Sequence, residues 1–463
     1  MRYLSTKTRA NAVPIVALGK DALAAWVKGQ PKPLGNWIRG TRFTAYPGTI
    51  SLVAGRDGAL ARVLFGTGPS GAPAGEDIWE WASLAARLPE GLYRLEADLD
   101  AAHAGRIALG WALGSYAFSR YRDDRARFAR LVWPAGADRA HVERTVRAIF
   151  LARDLINTPA SDMGPGELAQ AARSLARKLG AKCRVIKGDE LIHENYPAIH
   201  AVGRASAQAP RLIDIRWGRR GRPKLTLVGK GVCFDSGGLD LKPAAGMALM
   251  KKDMSGAAHV LALAGMVMEA KLPVSLRVLV PAVENSVSAN AFRPGDVVAT
   301  RKGTTVEIGN TDAEGRVILA DALFEAASER PDLIVEFATL TGSARVALGT
   351  ELPALFCNDD ATADALLAQA AAEGDPLWRM PLWEPYRDKV KGKVAELTNA
   401  PEGAYGGAIT AALFLREFVD AKIPWAHIDF MAWNLASKPG RPEGAEAMGL
   451  RAVYALIRDR FGA

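Results

Sequence analysis

The 463-residue chain carries 59 lysines and arginines against 50 aspartates and glutamates, a formal charge of +9, with 49% hydrophobic and 24% charged residues. This is a globular profile with room for two or three domains, and it excludes collagen-like, disordered and disulfide-scaffold classes. No apolar run reaches the ~20 residues that span a bilayer; the longest, 261–268 and 346–355, are short or interrupted, so no membrane partner is expected.

The amino terminus, MRYLSTKTRANAVPIVALGK, has the outline of a secretion signal. Its apolar part, 13–18, is short, contains Pro14 and runs into Lys20 and Asp21 without a small-residue cleavage site, so it reads as a buried strand. Cys183, Cys233 and Cys357 are dispersed and never form C-x-x-C, which argues against a disulfide framework and a thiolate zinc site and for a cytoplasmic setting. The six histidines include no H-E-x-x-H, so any catalytic metal has to be held mostly by oxygen.

Residues 1–150 hold 21 basic against 13 acidic residues, +8, and the rest 38 against 37. The run Arg120, Arg122, Arg125, Arg127 and Arg130 invites a nucleic-acid reading. Asp123 and Asp124 interrupt it at helical spacing, and a solvated helix face is the better expectation. Within this mixed α/β unit, 13–18, 49–54 and 61–65 are expected as strands, and 78–87 and 141–155 as helices. An oligomerisation or regulatory role fits its position. The turn-rich stretch NTPASDMGPG, 157–166, marks a separation, with a linker set at 151–165 and a larger domain at 166–463.

After an amphipathic helix at 167–179, the strands 212–217 and 224–228 read as a hairpin around GRRGRP, 218–223. Strands at 225–229, 276–280, 297–301, 306–308, 333–338 and 427–430 then alternate with helices at 256–270, 317–329, 361–373, 408–419 and 450–460. The alternation predicts an α/β/α domain with a mixed, largely parallel central sheet. In such sheets ligands collect at the loops that follow the strands.

Three of those loops carry charge in glycine-rich surroundings. VGKGVCFDSGGLDLKP, 228–243, offers Lys230, Asp235, Asp240 and Lys242; it is neither G-x-x-x-x-G-K-[ST] nor G-x-G-x-x-G, so nucleotide binding is not supported. MKKDMSG, 250–256, places Asp253 where helix capping is the commonest role of an aspartate. NTDAEGR, 310–316, brings Asp312 and Glu314 to one side if the segment is extended, or sets them against the dipole of the next helix. Together the loops supply Asp235, Asp253, Asp312 and Glu314 with Lys230, Lys242 and Arg316. Four carboxylates gathered at one place require cations, and a two-metal cluster is the economical solution.

These motifs resemble the leucyl (cytosol) aminopeptidase family of dinuclear metallopeptidases, over most of 151–463 and most strongly over 228–349. The resemblance implies that Asp235 and Glu314 bridge two divalent ions, Zn²⁺ or Mn²⁺, with Asp312 on one and Lys230 and Asp253 on the other. Lys230 would then be neutral. It further implies amino-terminal peptide hydrolysis by a metal-bridging hydroxide, with Lys242 on the oxyanion and Arg316 holding a bicarbonate that accepts a proton. Met250, Thr339 and Gly342 match positions lining the pocket for the first side chain, whose preference would be broad or leucine-like. GAEAMG, 444–449, departs from the Gly-Ala-Thr-Gly-like segment commoner in the family. A hexamer of two stacked trimers follows from the same resemblance. A nucleic-acid-binding regulator using the basic amino-terminal unit is the alternative.

Overall fold

Runs of β-branched and leucine residues become strands in both halves of the chain, and the breaks between them are glycine- and proline-rich. The computed structural model describes residues 3–6, 11–68, 77–97, 99–122 and 127–462. They divide into two compact units, Met1–Arg147 with Ala436–Glu443, and Ala148–Leu435 with Gly444–Ala463.

The first unit holds a 6-stranded sheet in the order Leu4–Ser5, Arg130–Val132, Leu92–Leu95, Val13–Gly19, Leu60–Gly68, Ile50–Ala54. All neighbours are parallel except the last pair, a hairpin. Helices Ile78–Arg87 and Ala101–Leu113 start where Asp77 and Asp100 accept hydrogen bonds from Trp79 N and His103 N, which satisfies otherwise orphaned donors. The helix face expected for the arginine run is not found among the described residues: 117–122 and 127–129 are irregular, and Arg130 opens a strand. Asp123, Asp124 and Arg125 lie outside the described residues. The expected linker is partly regular structure, because helix Arg139–Asn157 runs into it and a short 3₁₀ turn, Ala160–Asp162, follows.

The second unit is built on a 9-stranded sheet in the order Trp378–Arg379, Ala354–Cys357, Trp425–Asp429, Leu333–Ala338, Lys224–Gly229, Ser275–Asn285, Arg211–Trp217, Lys182–Lys187, with Gly231–Asp235 pairing the far end of Ser275–Asn285. The four strands from Trp425–Asp429 to Ser275–Asn285 are mutually parallel, and antiparallel strands flank them. Helices Ser255–Glu269 and Glu314–Ser328, both mostly buried, pack on this sheet.

The expected hairpin of 212–217 with 224–228 does not form. Ser275–Asn285 lies between the two strands, antiparallel to one and parallel to the other. The connecting loop straddles its start: Ser275 N donates to Pro223 O at 2.8 Å, and a Cβ on Gly218 would fall 2.1 Å from Val274 O. An eleven-residue strand buried along almost its whole length takes the centre, where both faces are covered. Val297–Ala299 and Thr305–Glu307 also leave the main sheet and form a separate 3-stranded sheet with Leu397–Thr398. Among the described residues no helix is long and apolar enough to cross a membrane, and Cys183, Cys233 and Cys357 are all free thiols.

Candidate metal centre

Lys230 follows the carboxyl end of strand Lys224–Gly229, and Asp235 ends strand Gly231–Asp235. Asp253 lies in the 3₁₀ turn Met250–Met254, just before helix Ser255–Glu269. That helix has no side-chain cap, so Asp253 is released from the capping role. Gly256 allows the turn to come close: a Cβ there would lie 2.0 Å from Phe337 O and 2.6 Å from Lys230 N.

The segment with Asp312 and Glu314 is not extended. Thr311–Ala313 is a 3₁₀ turn capped by Asn310, whose side chain accepts from Asp312 N at 2.7 Å, and Glu314 is the first residue of its helix. The two carboxylates still converge, because one oxygen each of Asp235, Asp312 and Glu314 lie within 4.8 Å of one another. Gly315 makes room for Lys230: a Cβ there would stand 2.4 Å from Lys230 Cε.

The buried Lys230 ammonium donates to Thr339 O at 3.1 Å and lies 2.7 Å from Asp253 Oδ2 and 2.9 Å from Glu314 Oε1. Lys242 Nζ is 2.9 Å from Asp235 Oδ2 and pairs with Asp312 Oδ1. Asp235 Oδ1 accepts from Gly237 N and Asn285 Nδ2, both at 2.9 Å, and Asp253 Oδ1 accepts from Thr339 Oγ1 at 2.6 Å.

Burial alone would lower the Lys230 amine, but Asp253, Glu314 and Asp235 outweigh it and raise the amine above its ordinary range. With no dication beside them the surrounding carboxylates favour the charged form; the neutral ligand that the sequence resemblance implies would require dications to reverse that balance. Burial is likewise outweighed by Asp235 and Asp312 at Lys242, which is also raised. Burial and then Asp235 push Glu314 up to about 8 and Asp312 up to about 6. Asp253 goes the other way: the cations of Lys230 and Lys252 overcome its burial and hold it low.

Two lysines thus face four carboxylates, and the balance is incomplete. Asp253 Oδ2, Asp312 Oδ1 and Glu314 Oε1 are buried, and each is met only by a lysine ammonium that a second carboxylate shares. Four enclosed carboxylates on two ammonium groups leave negative charge uncompensated, which is costly unless further cations meet it. The donor set, almost all oxygen with one amine, fits divalent ions such as Zn²⁺ or Mn²⁺.

Arg316 is buried in the first turn of the Glu314 helix; Nη1 donates to Asn399 O at 2.6 Å, Nε has no partner, and burial pushes the guanidinium down to about 10. Of the expected pocket positions, Thr339 is tied to Asp253 and Lys230. Met250 is buried at the head of the Asp253 turn, and Gly342 is exposed at the start of helix Gly342–Leu348. In the divergent 444–449 segment, Glu446 is the buried partner of Arg153 at 2.9 Å. Met448 N donates to Nε2 of His259, which burial holds neutral, near 4.

Three supporting residues, Asn285, Asn399 and Asp429, escaped the sequence reading, and Asp240 was noted there without a role. Asn285 links Asp235 to Thr311 O, Asp240 accepts from Thr311 N, and Asn399 brackets the 309–313 loop. Asp429 accepts from Leu340 N, Thr341 N and Thr341 Oγ1 and so holds the loop after Thr339. None of the three belongs to a local pattern; a buried asparagine beside a charged loop was the only available signal.

Comparison with known proteins gives a consistent result. Residues 150–454 match the catalytic domain of the cytosol aminopeptidase family, and 13–134 match the M17 aminopeptidase N-terminal domain. A probable cytosol aminopeptidase of Geobacter sp. (strain M21) is 42% identical over 76% of this chain and 75% of its own length. Another, of Rhodopirellula baltica, is 45% identical over 68% of this chain and 63% of its own. Among solved structures, the cytosol aminopeptidase of Coxiella burnetii superposes with a TM-score of 0.95 at 50% identity, covering 99% of both chains. The bottromycin maturation enzyme BotP, solved in complex with Mn, superposes at 0.88 and 36% identity over 97% of this chain and 100% of its own.

Proposed function

The chain belongs to the cytosol aminopeptidase family of peptidases, and from that premise we propose that it is a metal-dependent aminopeptidase releasing the first residue of peptides. The observation that carries this reading is the surplus of carboxylate over cation at the carboxyl end of the parallel strands, where oxygens of Asp235, Asp312 and Glu314 converge and each lysine is shared by two acids. Asp235 and Glu314 are assigned to both of two divalent ions, Asp312 to one, and Lys230 and Asp253 to the other. Zn²⁺ or Mn²⁺ are the candidates, and the Mn complex of BotP supports the latter. When bound, such a pair supplies an acidified attacking water and polarises the scissile carbonyl.

The chain's own groups do the rest. Asp253, held low, and the ion it would share with Lys230 would receive the peptide's α-amino group, which restricts cleavage to the first bond. Lys242, charged and only partly enclosed, stabilises the oxyanion that develops at the carbonyl. Arg316, with its free Nε, would hold a bicarbonate ion, which would supply a base for the attacking water's proton. Met250, Thr339 and Gly342 receive the first side chain, with a broad or leucine-like preference. A cytoplasmic hexamer, with the amino-terminal unit in assembly or regulation, completes the reading.

The test is release of the first residue from leucine p-nitroanilide and a panel of short peptides, with Mn²⁺ or Zn²⁺ added and then chelated. Chelator-sensitive cleavage is expected. Absence of cleavage across the panel at saturating metal would overturn the proposal.

A further inference from the structure

Asn399 is fully buried and follows the two-residue strand Leu397–Thr398, which runs parallel to Thr305–Glu307. Its backbone N donates to Glu307 O at 3.1 Å, continuing that pairing. Its side chain then reaches the loop that leaves the partner strand. Oδ1 accepts from Gly309 N at 2.8 Å and Asn310 N at 3.3 Å, while Nδ2 donates to Asn310 O at 2.7 Å and Ala313 O at 3.3 Å. An asparagine amide has two donor hydrogens and two acceptor lone pairs, and here one five-residue loop uses all of them.

The backbone carbonyl of the same residue receives Arg316 Nη1 at 2.6 Å. Asn399 therefore touches the backbone on both sides of Asp312, the residue before Glu314, and the arginine after it. The seat is tight, because a Cβ on Gly309 would lie 3.0 Å from Ala400 O. On its other side the loop is held by Thr311, whose N donates to Asp240 Oδ2 at 2.7 Å and whose carbonyl accepts from Asn285 Nδ2 at 3.0 Å.

We infer that Asn399 is a positioning residue of the metal centre: its side-chain amide fixes the 309–313 loop so that Asp312 and Glu314 present their oxygens together, and so sets the affinity of the site for divalent cations. The inference rests on the metallopeptidase reading. Groups that orient metal ligands from behind typically govern affinity by about 10- to 100-fold. Asn399→Ala takes the side-chain acceptor from Gly309 N and Asn310 N and withdraws one donor from each of Asn310 O and Ala313 O, and the loop relaxes away from its seat.

Mn²⁺ binding to the full chain is measured by competition with a chelating dye, alongside thermal unfolding. The control is Asn358→Ala. That asparagine likewise bridges backbone groups, accepting from Trp425 N at 2.8 Å and donating to Ile423 O at 2.9 Å, at the opposite end of the sheet. Asn399→Ala should bind Mn²⁺ about 10- to 100-fold more weakly, and Asn358→Ala should bind as the parent does even where its melting temperature falls. Asn399→Ser, which keeps a short neutral hydrogen-bonding side chain but cannot serve all four loop groups, guards against failure of the alanine variant to fold and should also bind more weakly. Parent-like Mn²⁺ affinity in the folded Asn399 variants overturns the inference and leaves the metallopeptidase reading intact. A parent protein that takes up no Mn²⁺ or Zn²⁺ overturns both.

Discussion

The larger unit contains two clusters of buried charge that are built on opposite terms. Around Arg277, three arginines meet three acids. Arg277 forks onto Asp214 at 3.2 and 2.8 Å and reaches Glu325 at 2.7 Å. Arg301 shares Glu325 at 2.6 Å, and Arg216 joins Glu329 at 2.7 Å. No buried oxygen of these acids lacks a partner among the described residues. Around Lys230, two lysines meet four acids, so that each ammonium is divided between two carboxylates. Guanidinium groups saturate carboxylates with planar, bidentate bonds, whereas an ammonium is a compact charge that leaves lone pairs open. The first cluster is complete as protein; the second is arranged for cations that the protein does not supply.

The largest expected effect breaks the second cluster. Glu314→Gln keeps the shape of the side chain and removes the carboxylate proposed to be shared by both ions. Hydrolysis of leucine p-nitroanilide should fall on the order of 10³-fold or more, as the positioning of attack and charge stabilisation are lost together. Metal analysis should find at least one equivalent missing. Because this cluster is overcharged, the same variant should melt no lower than the parent when both are in chelator. A large loss of melting temperature there would show that Glu314 acts as a structural partner and would erase the contrast.

Removing Lys230's clearance is the next most damaging change. Gly315→Ala places a methyl group 2.4 Å from Lys230 Cε, so either the lysine or the helix start has to shift. About 10- to 100-fold loss in metal affinity is expected, read by the same dye competition; unchanged affinity would show that Lys230 is not held by this contact.

The balanced cluster should respond in stability instead. Arg277→Ala removes the buried cation between Asp214 and Glu325, which keep Arg216 at 3.3 Å and Arg301 at 2.6 Å; with those partners and some solvent remaining, the loss is on the order of 1–2 kcal/mol. Denaturant unfolding should register that loss, while metal affinity and the catalytic rate of the folded enzyme should stay close to the parent's. A metal-affinity change comparable to that of Glu314→Gln would merge the two clusters into one functional network.

The smallest effect concerns Asp321, which belongs to neither cluster. Burial pushes it up to about 7 against three backbone N–H donors, from Arg301, Ile199 and Ala198. A raised folded value means that the bound proton favours the native state. That contribution is complete below about pH 4, the ordinary aspartate value, and is lost as pH rises through about 7. Asp321→Asn does not titrate, so its unfolding free energy relative to the parent should drift across pH 4–7 and level off above. The amide N–H facing Arg301 N adds a constant offset. A difference independent of pH would show that Asp321 is not raised.

How much of this was legible depended on how locally each feature is encoded. Helix Ile78–Arg87 and strand Leu333–Ala338 fall where periodicity and an Asp cap place them, since those signals operate within a turn or two. The acidic and basic residues of the centre were visible because they cluster in three short glycine-containing segments at the ends of strands and helices. The supporting amides were not. Asn399 acts on Gly309 across 90 positions, Asn285 on Asp235 across 50 and Asp429 on Thr341 across 88. The false hairpin failed for the same reason, since adjacency in sequence could not reveal that Ser275–Asn285 inserts between its arms.

By itself, then, the sequence determined which residue types stand at the ends of which strands, the alternation that makes an α/β unit, and motifs specific enough to indicate a family. Only the tertiary structure decided which strands are neighbours, that Asp312 and Glu314 converge through a 3₁₀ turn and a helix start instead of an extended segment, and that the carboxylates around Lys230 raise its amine. Those outcomes depend on burial and on distances between groups far apart in the chain. Electrostatics and hydrogen bonding become decisive only after the fold has excluded water from between them.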